Sequence, residues 1–130
     1  MVSQAFADSD EAIRYAECRA HLDNFVRNNW VSFGWKPRDK KSSAHLARVA
    51  PVNQYVMDFR SWDESGGIRV FGCFAQRDWF VALTWQLREN VVWDDDIRAC
   101  REAWTGLFNE PPPDLGNTPK AYLSGNFSPC

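Results

Sequence analysis

Three short apolar runs separated by two tight turns, all between residues 54 and 85, constrain this chain more than any other feature. QYVMDFR, IRVFGCFA and WFVALTW are rich in β-branched and aromatic residues, as strands require. Gly66-Gly67 and Gln76-Arg77-Asp78 supply turn chemistry between them. The pattern predicts an antiparallel meander. Two arginines lie inside it, Arg60 closing the first strand and Arg69 opening the second. A guanidinium is always charged and is rarely buried without a partner. Two of them on adjacent strands of an apolar sheet predict a face left open to bind an anion.

Strand alternation assigns the side chains to faces. In the first strand Tyr55, Met57 and Phe59 share the expected core face, and Val56, Asp58 and Arg60 share the open one. In the second, Ile68, Val70, Gly72 and Phe74 alternate with Arg69, Phe71, Cys73 and Ala75, which brings Arg69 to the open face beside Arg60. The third strand is apolar on both faces, as a central or covered strand would be.

The flanking segments predict helices. Asp8 or Ser9 can cap a helix near 10–28, with Asp10 and Glu11 in its first turn and Tyr15, Cys18, Leu22 and Phe25 as its apolar stripe. The stretch WVSFGWKPRDKKSS reads as a loop around Gly34 and Pro37, and carries the densest positive cluster, Lys36, Arg38, Lys40 and Lys41. AHLARVA reads as a short helical piece ended by Pro51. A second amphipathic helix, near 95–108, has Asp94 as N-cap and Ile97, Cys100, Trp104 and Leu107 or Phe108 as its apolar face. Pro111-Pro112-Pro113 stops it, and an irregular Pro-rich tail follows from about 111, with Tyr122 and Phe127 as its large residues. The fold class expected is α+β, a two-layer domain with helices packed on one face of an antiparallel meander.

Composition excludes several classes of function. The 130 residues fit one domain, and 45% apolar residues with seven tryptophans describe a folded chain. A net charge of −2 gives no overall field toward nucleic acid, so such binding would need a local basic patch. No apolar run approaches the ~20 residues of a membrane span, and the N-terminus has no secretory pattern, so a cytoplasmic protein that does not engage membranes is expected. The four cysteines form no C-x-x-C pair and only His21 and His45 accompany them, so no metal or cofactor is expected and Cys18, Cys73 and Cys100 should be free thiols.

The order of elements carries a family resemblance. Asp58-x-Arg60, a turn, Ile68-Arg69-Val70, a turn, Phe80 to Trp85, Gln86-Leu87-Arg88 and the helix Asp95 to Phe108 resemble the RelE/ParE-type toxins, particularly the HigB and phage Gp49-like branch. AHLARVAP resembles the Leu-containing segment leading into the first of these strands, so the resemblance covers roughly residues 44–108. It implies a RelE-like fold and the toxin of a type II toxin–antitoxin system, a metal-independent mRNA endoribonuclease that inhibits translation. The partners implied are a cognate antitoxin protein and mRNA, often on the ribosome. Arg60, Arg69 and Arg88 would then stabilise phosphate charge, Asp58 or Tyr122 would handle a proton, and Lys36, Arg38, Lys40, Lys41 and His45 would form a flanking grip on RNA.

Plainer readings stand beside these. Asp58 can pair with Arg60 along its strand or with Arg69 across the ladder, the lysine run can be a solvated loop, His45 a surface residue and Tyr122 a tail anchor. Trp30, Trp35, Trp62, Trp79, Trp85 and Trp93 can stack on bases, fill the core or form a protein-binding hot spot. The alternative function is therefore a catalytically inactive RelE-like fold, encoded by a phage or mobile element, that acts as a protein-binding inhibitor. A third is a domain whose Arg60 and Arg69 hold an anionic metabolite.

Overall fold

The computed structural model describes residues 31–35, 46–63, 66–124 and 127–129. The helix expected at 10–28 and the basic cluster at 36–45 lie outside these residues. The meander forms as expected: β3 (Met57–Asp63), β4 (Gly66–Gln76) and β5 (Trp79–Leu87) pair antiparallel in sequence order. It belongs to a wider mixed sheet. β1 (Val31–Gly34) runs parallel to both β2 (Leu46–Arg48) and β6 (Phe127–Pro129), and β2 pairs antiparallel with β3. The order across the six strands is β5-β4-β3-β2-β1-β6. One helix, α1 (Trp93–Phe108), packs against β4 and β5, so the domain is α+β with a helix on a sheet.

Several local expectations change. Val31–Gly34 is a strand rather than part of a loop, and Phe33 within it is fully buried. The predicted helical piece AHLARVA contains β2 instead, because Leu46 and Ala47 are buried between neighbouring strands on both sides. A single turn of helix would have given three residues one hydrogen bond where the ladder offers two partners. Gly66 and Gly67 are strand residues opposite Asp63 and Trp62 rather than the turn itself. At the other turn Asp78 adopts the left-handed φ of 68° that such reversals favour for Asp. β5, read as a central or covered strand, lies at the sheet edge with α1 packed against it, and leaves Trp79 63% and Trp85 41% exposed.

Both faces of the sheet are covered. On one, Met57, Phe59, Ile68, Val70 and Phe74 pack with Phe33 and Leu46. The lid there is the segment read as an irregular tail: Tyr122 and Leu123 are buried, with Leu115 and Ala121 against them. On the other, Val56, Phe71 and Cys73 pack against Ile97, Cys100 and Trp104 of α1. The core thus follows the alternation predicted for the strands, while the face expected to be open is substantially buried.

Helix α1 keeps the predicted apolar stripe but starts two residues earlier. Val92 is the N-cap, and the Asp96 carboxylate accepts a hydrogen bond from its backbone N–H at 2.9 Å, so Asp94 is a first-turn residue. The three acids oppose the positive end of the dipole. Leu107 faces solvent, and Phe108 stacks on Trp104 at 4.2 Å between centroids. Asn109, at φ 56°, ends the helix in the left-handed conformation. Among the described residues no helix is long and apolar enough to cross a membrane.

Candidate anion site on the meander

Antiparallel pairing brings Arg60 and Arg69 directly opposite each other, with their guanidinium groups on the same face as Asp58. Like charges placed opposite each other on a sheet destabilise it, so the site needs a counter-ion. Asp58 provides it. Its Oδ2 accepts from Arg69 Nη1 at 2.6 Å, and Arg60 Nε donates to both oxygens at 3.2 and 3.3 Å. Asp58 is fully buried, whereas the Arg69 and Arg60 side chains keep 14% and 24% exposure. Among the described residues two guanidinium charges therefore share one carboxylate, leaving one positive charge in excess there at a partly open position.

The surroundings explain the orientation. Arg69 lies with its guanidinium carbon 5.2 Å from the centre of the Trp93 ring, a cation–π distance, and Trp93 meets Phe71 edge-on at 6.1 Å. Trp93 is 43% exposed, so one aromatic surface stands next to the arginine pair. Gln86 is the register partner of Arg69 on the far strand, and its Oε1 accepts from Leu87 N at 3.1 Å. Arg88 follows in the short 3-10 turn Arg88–Asn90 at that end of β5, exposed to solvent.

The predicted site residues thus divide. Arg60, Arg69 and Asp58 come together, with Arg88 beyond the same end of the ladder. The expectation that Asp58 sits on an open face is corrected: full burial and two guanidinium partners make it the anchor that holds the arginines rather than an accessible base. Tyr122 is corrected as well. It sits on the opposite face of the sheet, 5.4 Å from Phe74 and 5.6 Å from Trp35 between ring centres, with its hydroxyl accepting from Leu115 N at 3.4 Å. Burial pushes that hydroxyl up from its ordinary pKa against the lowering effect of the Leu115 bond, so Tyr122 anchors the tail and cannot reach the arginine pair. Lys36, Arg38, Lys40, Lys41 and His45 lie outside the described residues.

Trp93 was one of six tryptophans open to base stacking, core or interface roles; its place beside Arg69 comes from the helix starting at Trp93, ahead of the Asp94 cap read from the sequence. Cys73 and Cys100 face each other beneath α1 as free, buried thiols; their mutual hydrogen bond and burial push the Cys73 thiol up, so the pair is inert packing rather than a nucleophile. Cys18 and Cys130 lie outside the described residues. No group of acids, histidines and cysteines able to hold a metal ion occurs among the described residues. Compared with known proteins, the chain matches no family model, no curated protein and no solved structure.

Proposed function

We propose that this protein is a RelE/HigB-like toxin that holds an mRNA phosphate on Arg60 and Arg69, cleaves the RNA without metal and so inhibits translation. The observation that carries this reading is the cross-strand arginine pair, fixed on one buried carboxylate and left with one positive charge in excess. The chemistry needs little more than position and charge. The ribose 2′-oxygen attacks the adjacent phosphorus, the bond from phosphorus to the 5′-oxygen breaks, and the products are a cyclic phosphate and a 5′-hydroxyl. Negative charge builds on the non-bridging oxygens, and preorganised guanidinium groups lower that barrier. Asp58 acts by positioning them. His45 is the candidate proton carrier, and Arg88 with the Lys36–Lys41 cluster would extend the grip along the backbone. A cognate antitoxin, the ribosome and a cytoplasmic location belong to this reading.

One observation favours a second reading, a catalytically silent relative that binds a protein. The edge strand β5 carries no charged residue over nine positions and exposes Trp79 and Trp85, and unguarded edges of this kind invite a partner strand. A reconstituted translation reaction separates the two. The toxin reading predicts inhibition, new mRNA 5′ ends in coding sequence, and loss of both in Arg60→Gln. Full translation with intact mRNA overturns it and leaves the protein-binding reading.

A further inference from the structure

A second guanidinium is set up more rigidly than the pair on the meander. Arg48, the last residue of β2, donates from Nε to the Trp35 carbonyl at 2.6 Å, and its guanidinium carbon lies 3.6 Å from the centre of the Trp35 ring. Trp35 is itself held edge-on by Phe33 and tilted against Tyr122. Stacking and the Nε bond fix the plane of the fork, while its Nη groups donate to no carboxylate or carbonyl among the described residues. Arg48 borders a cavity of about 130 Å³, lined also by Tyr55, Met57, Asp114, Asn117 and Tyr122.

Three features make this a built pocket rather than a gap. Tyr55 adopts a left-handed φ of 60°, unusual for a bulky residue and the kind of outlier that collects at ligand sites. Asp114 also lines the cavity, and its carboxylate is held by a hydrogen bond that Oδ1 accepts from Gly116 N at 3.0 Å. Tyr122 sits between the two ends and reaches Leu115 through its hydroxyl. The cavity therefore offers a fixed guanidinium fork, a carboxylate and side-chain amides in space for roughly four waters.

We propose that this cavity binds a small zwitterion of the α-amino-acid type, its carboxylate on the Arg48 fork and its ammonium toward Asp114. A planar carboxylate matches the two Nη donors in parallel. Asp114 selects against a dianion such as phosphate and for a ligand carrying its own positive charge. The volume limits the side chain to that of glycine, alanine or serine. The site lies on the face of the sheet opposite Arg60 and Arg69, so it stands independently of the toxin reading.

Calorimetric titration of the full chain with alanine, propionate and phosphate tests it. Alanine should bind with a Kd of ~1 mM or tighter, and propionate and phosphate at least about tenfold more weakly. Arg48→Lys keeps the charge but loses the fork and should weaken alanine about tenfold. Asp114→Asn, at an exposed residue outside the core, should weaken alanine to the level of propionate and leave propionate unchanged; it keeps the test decisive if Arg48→Lys fails to fold. The proposal is overturned by absence of saturable alanine binding, by propionate or phosphate binding as tightly as alanine, or by an Asp114→Asn protein with unaltered selectivity.

Discussion

Replacing Asp58 with asparagine removes the one carboxylate among the described residues that is bonded to both Arg60 and Arg69 while changing the shape of the site very little. The two guanidinium groups, opposite each other in register, would face one another without a counter-ion beneath a helix. Breaking a buried ion pair by deleting one partner costs about 3–5 kcal/mol. Here the arginine heads retain 14% and 24% exposure, so water recovers part of that, and about 2–4 kcal/mol is expected. For a chain of this length the loss corresponds to a fall in Tm of roughly 8–15 °C. Thermal and urea unfolding of the two proteins would measure it. Asp95→Asn is the control: its partner Arg98 sits one helical turn away with both side chains more than 60% exposed, so a change under about 0.5 kcal/mol is expected. A similarly small effect of Asp58→Asn would refute the view that one buried carboxylate holds the arginine pair.

Gly72→Ala should destabilise by about 2–3 kcal/mol, because its Cβ would fall 2.1 Å from the Val81 carbonyl oxygen and 2.7 Å from the Phe80 ring, and backbone cannot step aside cheaply; denaturant melts would show it. Asp78→Asn should loosen the tail, since the carboxylate accepts from Ser124 N and Oγ at 2.8 and 2.6 Å, and hydrogen exchange at 121–124 should rise. Desolvation raises the Asp78 pKa, but the Ser124 bonds and Arg77 outweigh it and hold it below the ordinary 3.8. Its contribution is therefore full above that ordinary value and lost as pH falls through the depressed one, so the parent and Asp78→Asn should differ at pH 7 and converge once the pH is below the depressed value. Cys73 and Cys100 should resist alkylation in the folded protein and react on unfolding, which mass spectrometry after a brief pulse would resolve.

The meander and its faces were legible because a period of two in Met57–Arg60 and Ile68–Phe74 is dictated by burial on each side of the pleat. The arginine pair was legible for the same reason. What escaped was long-range. Nothing local marks VSFG or LAR as strands, since their pairing comes from residues far along the chain, including Phe127–Pro129. The tail looked irregular because its buried residues, Tyr122 and Leu123, follow no period, yet they close one face of the sheet. Asp58 looked exposed because a carboxylate normally is; one partner along its strand, Arg60, and one across the ladder, Arg69, reverse that expectation. Trp93 and the Arg48–Trp35 stack depend on where separate elements end up in space, which spacing alone does not encode.

The central claim is that the excess charge of the Arg60–Arg69 pair engages an RNA phosphate. The salt dependence of single-stranded RNA binding tests it most directly, with Arg60→Gln as the comparison because Asp58 then keeps its shorter bond to Arg69 and the fold is preserved. The account predicts that the slope of log affinity against log salt becomes shallower by about 0.7 in the variant, one phosphate contact fewer on a single strand. RNA affinity and slope identical in the two proteins would contradict it.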